Sequence, residues 1–278
     1  MVVNQGPSFS QTSKLGQLSS VRAYHVSLVL NGSLIMTIGG SDTHGSLETT
    51  EIFDTGNGVT EVRQSGKMTS KRTNRPGAVV LSDSRVVVCG GKTDRSTATN
   101  TCEQWDLKGS EWTPFPSLNH PRYCTALVNV NGVVYALGGG RTKTKPTRSV
   151  EKLELGKWRV VGRMKRARYC FGAAAYKEKI FVCGGWGTNF RYLKSCEKYD
   201  PVRNKWSSAP SLCSHCGPTS LVVVRGVLVA VGSPTVASPE VYHPERNCWK
   251  CVNYNFSETH WLGSAVATTG PVHIEEEH

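Results

Sequence analysis

Two cysteine pairs near the C-terminal end have the spacing of zinc ligands. Cys213 and Cys216 enclose His215 in SLCSHC, and Cys248 and Cys251 follow in NCWKC. Thiolate and imidazole groups at such spacing are the usual donors of tetrahedral zinc sites. Whether they can meet at one ion depends on the secondary structure that carries them.

Length and composition indicate one folded domain with a strong positive charge. The chain has 278 residues, 38% of them hydrophobic, and we treat 1–278 as a single domain. No charged start leads into an apolar block, and the most apolar stretch, 221–232, is interrupted by Arg225. We therefore expect a cytoplasmic or nuclear chain, outside membranes, with its ten cysteines reduced. The net charge of +12 indicates an acidic partner.

Much of this charge lies in one segment, residues 141–168. It carries eleven lysines and arginines against two glutamates. Surfaces that track a nucleic-acid backbone usually add stacking aromatics or a recognition helix, and the segment shows neither pattern. We interpret it as a solvated face, and we keep nucleic-acid binding as an alternative.

A unit of about 48 residues recurs along the chain. A glycine pair follows a β-branched run in each unit, at Gly39-Gly40, Gly90-Gly91, Gly138-Gly139 and Gly184-Gly185, with a degenerate Gly232-Ser233 as the fifth. A glutamate follows each pair, at Glu51, Glu103, Glu151, Glu197 and Glu240. A tryptophan follows four of the glutamates, at Trp112, Trp158, Trp206 and Trp249.

Each unit predicts four short strands separated by turns, with no helical periodicity. One four-stranded antiparallel sheet cannot bury both of its faces, so such sheets stack around an axis as the blades of a β-propeller. The glycines fit the crowded strand exits near that axis, and the tryptophans fit between neighbouring blades.

The repeat resembles the kelch-repeat family of β-propellers. The resemblance rests on the diglycine, the tryptophan and a motif best seen as CEKYDPVRNKW at 196–206, and it extends over residues 18–270. It implies an all-β, kelch-type propeller. The chain departs from the pattern at Ser233 in the fifth unit and by lacking a tryptophan in the first.

We expect six blades of four antiparallel strands. The C-terminal segment HWLGSAVATTGPVHI begins a sixth repeat, and N-terminal residues could supply the strands that it lacks. The predicted blades are 19–68, 69–118, 119–164, 165–212, 213–256, and 257–278 closed with 1–18. An incomplete sixth blade is the alternative.

Recurrence also suggests a role for six of the cysteines. They occupy matching positions in different units: Cys89 with Cys183, Cys102 with Cys196, and Cys124 with Cys170. We expect them to be core thiols rather than disulfides or metal ligands.

Catalysis has to be weighed, because copper-radical oxidases and sialic-acid mutarotases also resemble kelch propellers. An oxidase needs histidines and tyrosines that converge at the axial face, whereas the eight histidines here occupy unrelated repeat positions. The repeated glutamates are more typical of structural hydrogen bonds. We predict no enzyme, no cofactor and no metal, with a kelch-fold oxidase or sugar mutarotase as the alternative.

Loops at the ends of a propeller carry its binding surfaces, because its strands are committed to packing. Arginine and aromatic residues dominate interface energetics. The predicted partner contacts are therefore Arg72, Arg75, Lys92, Tyr123, Arg141, Tyr169, Trp186, Arg191 and Trp261. Arg22, Arg122 and Arg168 recur ten residues before a turn, where the other units have Asn74 and Cys216, and we expect these arginines to brace blades by pairing with the glutamates.

The predicted function is a non-catalytic protein-interaction module that binds an acidic peptide or protein surface. Family resemblance adds two roles: substrate recognition for a cullin-type ubiquitin ligase, or an actin-associated scaffold. The ligase adaptors also have helical domains, so this chain would be a fragment, a short variant or a stand-alone propeller.

The repeat register disfavours zinc. Cys248 and Cys251 stand three apart on a predicted strand and point to opposite faces, and Cys216 occupies the arginine position. Metal binding by Cys213, His215 and Cys216 from a rim loop stays as the alternative. We expect the fifth blade to be the weakest.

Overall fold

A computed structural model describes residues 18–54, 61–82, 84–93, 97–106, 111–142, 145–213, 217, 219–232 and 238–252. Within these ranges the chain forms five four-stranded antiparallel sheets and two short hairpins. No helix in the described ranges is long and apolar enough to span a membrane.

The strands follow one another in sequence order within each sheet. Sheet one contains β1 (Val26–Asn31), β2 (Leu34–Ile38), β5 (Thr49–Asp54) and β6 (Glu61–Lys67), with the hairpin β3 (Ser41–Asp42) and β4 (Gly45–Ser46). Sheet two contains β7 (Gly77–Val80), β8 (Arg85–Cys89), β9 (Cys102–Asp106) and β10 (Trp112–Phe115). Sheet three contains β11 (Ala126–Val130), β12 (Val133–Leu137), β15 (Ser149–Glu154) and β16 (Lys157–Arg163), with the hairpin β13 (Gly140–Thr142) and β14 (Lys145–Pro146).

The last two sheets repeat this order. Sheet four contains β17 (Gly172–Tyr176), β18 (Lys179–Cys183), β19 (Cys196–Asp200) and β20 (Lys205–Ala209), and a 3₁₀ turn (Thr188–Phe190) lies between β18 and β19. Sheet five contains β21 (Ser220–Val224), β22 (Val227–Val231), β23 (Glu240–His243) and β24 (Cys248–Cys251).

The first strands of the five sheets surround a central cavity of about 410 Å³. Each first strand packs against that of the next sheet, in the order β1, β7, β11, β17 and β21. The inner strands are rich in small residues, such as Gly77, Gly172 and the Ala173–Ala175 run, which suits the narrow space near an axis. The all-β propeller is therefore confirmed.

The hydrophobic core lies between consecutive sheets rather than within one. Trp112 of sheet two packs with Leu28, Met36 and Ile52 of sheet one. Each later tryptophan packs on the sheet before its own in the same way, at Trp158, Trp206 and Trp249. The predicted role of the tryptophans between blades is confirmed.

A buried arginine and glutamate tie the connection into a sheet to its third strand. The four pairs are Arg22–Glu51, Arg72–Glu103, Arg122–Glu151 and Arg168–Glu197. In each, the arginine also donates to the carbonyl of the first glycine of the diglycine, as Arg122 Nη1 does to Gly138 O at 2.7 Å. Burial lowers the pKa of Arg72, Arg122 and Arg168, and the paired carboxylate opposes that shift. The expected bracing by Arg22, Arg122 and Arg168 is confirmed.

The number of blades differs from the prediction. The described residues form five blades, where six were expected. Apart from Leu18, the segments proposed for a sixth blade, 257–278 and 1–18, lie outside the described residues, so closure by pairing of the chain ends stays a prediction.

Six cysteines expected as free thiols are paired in the structure, as Cys89–Cys102, Cys124–Cys170 and Cys183–Cys196. Cys89 and Cys102 are cross-strand partners on β8 and β9, with their Cα atoms 4.1 Å apart. Cys124 and Cys170 join the entrances of sheets three and four. The expectation of six unpaired core thiols is wrong, because recurrence compares equivalent positions and cannot show which positions face each other across strands.

Candidate functional site

The two ends of the propeller differ in the kind of chain that forms them. In every sheet, antiparallel pairing places the connection from the first strand to the second and that from the third to the fourth at one end, and those that the structure describes in full are tight turns. We call that end the hairpin face. The other end, the connection face, consists in the described residues of 39–48, 90–93, 97–101, 138–142, 145–148 and 184–195, with the links between sheets at 68–76, 116–125, 164–171 and 210–213.

Backbone pairing locks the two kinds of connection together. Residues just after the arginines pair with residues just after the diglycines: Ala23 with Ser41, Thr73 with Lys92, Tyr123 with Gly140, and Tyr169 with Trp186. The links between sheets also bond to each other, since Cys124 N donates to Asn74 O at 2.8 Å and Cys170 N donates to Cys124 O at 3.1 Å. The connection face is thus a continuous hydrogen-bonded surface.

An aromatic cluster occupies the connection face over sheets three and four. The rings of Tyr123 and Tyr169 meet edge to face with centroids 6.0 Å apart, and Tyr169 stacks on Trp186 at 6.4 Å. Trp186 in turn contacts Tyr192 at 4.3 Å and Phe190 at 6.4 Å. Burial and the neighbouring Tyr169 raise the pKa of Tyr123 to about 12, so its hydroxyl stays protonated and donates to Thr142 O at 3.0 Å.

The outer end of this cluster is presented to solvent by a fixed loop. Gly187 N donates to Arg191 O at 2.9 Å, and Leu193 N donates to Gly185 O at 2.8 Å. Phe190 lies at the tip with φ of 53° and is 53% exposed, and Arg191 beside it is also exposed. A large apolar ring and a guanidinium group are therefore held in the open before any ligand arrives.

The predicted contact residues divide by exposure. Arg141 and Arg191 are exposed, and Arg75 and Trp186 are partly exposed. Arg72, Lys92, Tyr123 and Tyr169 are buried. Trp261 lies outside the described residues.

Arg72 is misplaced in the prediction. It pairs with Glu103, with Nη2 and Oε1 2.8 Å apart, and it is the counterpart of Arg122 rather than a surface contact. Counting back from the turn pointed to Asn74 instead, because four residues separate β7 from β8, whereas two separate β11 from β12. Asn74 has a positive φ of 57°, like Cys124 and Cys170 at the same place in their sheets.

Lys92 is also unlike the prediction. Its side chain is only 6% exposed, and its ammonium group lies over the Tyr123 ring, 4.3 Å from the centroid. Through this cation–π contact, Lys92 packs against the Tyr123 ring of the aromatic cluster. Lys92 therefore stabilises the connection face instead of offering a free charge to a ligand.

Three matched repeats establish the family. A family model described as Kelch motif matches residues 75–119, 121–165 and 167–212, which contain sheets two, three and four. The chain belongs to the kelch-repeat propeller family.

Relatives of the kelch chain are longer proteins. It is 26% identical over 174 residues to Kelch-like protein 38 of Homo sapiens, in a match that spans 59% of this chain and 30% of that protein. It is 28% identical over 210 residues to Kelch-like protein 23 of Homo sapiens, spanning 75% of this chain and 36% of that protein. The matched part is thus about a third of each relative's length.

A solved structure shares the fold of the kelch chain. The structure of YjhT superposes with a TM-score of 0.76 and 11% sequence identity, over 91% of this chain and 89% of that chain. At this identity the likeness concerns the propeller fold alone.

The kelch propeller concentrates positive charge around its aromatic cluster. The connection face of sheets three and four draws its described residues from three stretches of the sequence, 138–149, 164–171 and 184–195. These stretches contain nine lysines and arginines and no aspartate or glutamate. One of the nine, Arg168, forms an ion pair with Glu197. Arg141, Lys145, Arg148, Lys165, Arg166, Arg191 and Lys194 are exposed.

Sequence reasoning missed Phe190 and Tyr192. Neither residue recurs in the other kelch repeats, so the register gave no reason to select them. The signal was local: NFRY at 189–192 follows a diglycine and places two aromatics around an arginine in a connection that the propeller must expose.

Proposed function

We propose that this kelch propeller is a non-catalytic protein-interaction module whose connection face binds an acidic peptide or an acidic protein surface. The observation that carries the proposal is the exposed Phe190–Arg191 tip beside an aromatic cluster, in a region whose stretches have no acidic residue. Aromatic and arginine side chains supply most of the binding energy at protein interfaces. Like-signed charge around them favours partners of opposite charge and speeds their approach.

The geometry suggests which side chains supply apolar contact to the partner and which supply positive charge. Phe190 and the partly exposed Trp186 offer apolar surface that an aromatic or aliphatic anchor of the partner can cover. Arg141 and Arg191 offer exposed guanidinium groups to carboxylates, which they bind with two parallel hydrogen bonds. The backbone bonds that close the 185–193 loop reduce the entropy lost on binding.

Two finer roles rest on family resemblance. Relatives named Kelch-like proteins support a propeller that recognises proteins. Within the proposal, substrate recognition for a cullin-type ubiquitin ligase comes first and actin association second. The proposal assigns no catalytic step to any residue of the chain.

Capture of partners by paired variants tests the proposal. Wild-type chain, the double variant Arg141→Glu/Arg191→Glu, and the control Arg203→Glu are immobilised and exposed to nuclease-treated cell extract. Arg203 is an exposed arginine in the β19–β20 turn on the hairpin face. Mass spectrometry should show acidic proteins retained by the wild type and the control, and reduced about tenfold or more by the double variant.

Equal thermal unfolding of the three proteins establishes that the variants are folded. Retention of the same proteins by the double variant would contradict the proposal. Binding that is seen in untreated extract and lost after nuclease treatment would assign the basic surface to nucleic acid instead, and a steep fall of that affinity with salt would support this reading.

A further inference from the structure

We propose that Cys213, Glu240 and Cys251 form a zinc-binding site in sheet five. Cys213 lies in the connection between sheets four and five, Glu240 begins β23, and Cys251 ends β24. Their ligand atoms, two sulfurs and a carboxylate oxygen, all lie within 4.8 Å of one another. This proposal departs from the prediction of no metal in the sequence analysis.

Strand pairing and hydrogen bonds position the three donor residues. Glu240 and Cys251 are directly opposite each other in the antiparallel pair of β23 and β24. Cys213 is held from the other side, since its amide donates to Glu240 Oε2 at 2.6 Å and its Sγ lies 3.2 Å from Trp249 O. Because three separate backbone segments supply the donors, the site is assembled by the fold.

Comparison of the five sheets shows what has changed in the fifth. In every sheet, the amide after the residue that closes the preceding unit donates to Oε2 of the repeat glutamate, with donors Ser19, Thr69, Asn119, Lys165 and Cys213. In sheets one to four, a buried arginine meets Oε1 of the same carboxylate.

The sequence has a cysteine, Cys216, at the arginine position of sheet five. The sequence thus has a thiol at the position where the other sheets carry a guanidinium group. A divalent cation bound by Cys213, Glu240 and Cys251 would place positive charge on the carboxylate, as the arginine does in the other sheets.

The donor set selects the kind of metal. Two sulfurs with one carboxylate suit zinc, which accepts thiolate, imidazole and carboxylate ligands in a tetrahedral arrangement. Calcium and magnesium require oxygen ligands and do not suit this site. Cys213 and Cys251 are both exposed, so an ion has access and a fourth ligand has room.

Zinc has to displace protons from the two thiols. Partial burial, with the charge of Glu240 and contact with Cys251, raises the pKa of Cys213 to about 12 in the metal-free chain. Zinc binds cysteine sulfur as a thiolate, so binding of the ion releases the Cys213 proton.

The site is not the cluster that the sequence suggested. Cys248, which shares β24 with Cys251, faces His243 across the sheet and takes no part. His215 and Cys216 lie outside the described residues, and the proposal assigns them no role.

Metal titration of matched variants tests the site. The metal-free chain, with its three disulfides intact and its remaining thiols reduced, is titrated with Zn²⁺ and separately with Co²⁺, alongside Cys213→Ser, Cys251→Ser and the control Cys248→Ser. We expect one ion per chain in the wild type and the control, and a Co²⁺ spectrum with charge-transfer bands of two thiolates. Removing either ligand should weaken the binding of Zn²⁺ about a hundredfold or more. That loss is at least as large as the one usual for residues that only hydrogen-bond to a metal ligand.

Three outcomes would overturn the proposal: no ion bound by the reduced wild type, unchanged binding in both ligand variants, or a loss in Cys248→Ser as large as theirs. Circular dichroism and thermal unfolding of the metal-free variants check their fold. If a ligand variant does not fold, the wild-type Co²⁺ spectrum decides, because bands of fewer than two thiolates contradict the site. The ligand variants leave Arg141 and Arg191 in place, so this test and the partner-capture test fail independently.

Discussion

Buried ion pairs show how single residues stabilise this propeller. Arg122 is fully buried, and its guanidinium donates to Glu151 Oε1 at 2.7 and 3.2 Å and to the carbonyls of Gly138 and Ser149 at 2.7 and 3.0 Å. One side chain thus joins the diglycine exit of β12 to strand β15. Breaking such a pair leaves an uncompensated charge in the interior, which costs more than the pair itself contributes.

Replacing Arg122 should therefore destabilise the chain strongly. Arg122→Ala should lower the free energy of unfolding by about 3–5 kcal/mol, because Glu151 would stay buried without its cation. Arg159→Ala is the control, since Arg159 is exposed and its contact to Glu154 is 3.9 Å long, and it should cost less than about 1 kcal/mol. Urea unfolding measures both, and equal losses would contradict the bracing role.

His25 predicts a pH dependence of stability. Burial, helped by the charges of Arg22 and Arg75 and opposed by Glu51, lowers its pKa from 6.5 to about 4. Between these values the unfolded chain binds a proton that the folded chain excludes, so stability falls as the pH is lowered from about 6.5 towards 4. The loss should reach about 3 kcal/mol.

Urea unfolding across this pH range measures the effect, with His25→Gln as the comparison. The variant lacks the titrating group, so its stability should fall less over the same range. Parallel curves for the two proteins would show that His25 is not responsible.

At the level of elements, the diglycines set how tightly neighbouring sheets approach. Gly138 has φ of 52°, and a Cβ there would lie 2.7 Å from Arg168 O in the next sheet's connection. Gly156, in the β15–β16 turn, has φ of 71° and no atom within 4 Å of such a Cβ. The two glycines share a backbone conformation and differ in their surroundings.

Alanine substitution should separate these two effects. Gly156→Ala should cost about 1–2 kcal/mol, the price of a left-handed conformation alone. Gly138→Ala should cost a further 1–3 kcal/mol or so, because the added methyl group collides with backbone. Urea unfolding measures both variants, and equal costs would show that close approach is not what selects glycine at the diglycine.

Most of what could be predicted about the strands and sheets came from the recurring motifs. Strand runs, diglycines, glutamates and tryptophans recur in register, so the sheets and their packing could be predicted from spacing. Arg72 was misplaced because the longer β7–β8 connection shifts any count from the turn. The cysteine pairs and the Cys213–Glu240–Cys251 cluster depend on which positions face each other across strands. The recurrence of a residue type at one repeat position does not show which other position it faces.

For the whole molecule, the two faces differ in what they can bind. Where the structure describes it, the hairpin face consists of tight turns, whereas the connection face carries the aromatic cluster and the basic stretches over sheets three and four. Arg191 was predicted as a contact, whereas the exposed Phe190 beside it was found only from the structure, because its loop is unique among the repeats. The proposed recognition thus rests on the least repetitive part of a repetitive fold.

Hydrogen exchange of the propeller, with and without its most enriched acidic partner, tests this account most directly. We predict slower exchange on binding at 184–195 and 138–149, with no change in the hairpin turns at 176–179 and 200–205. Protection of those turns, with none at 184–195, would contradict it.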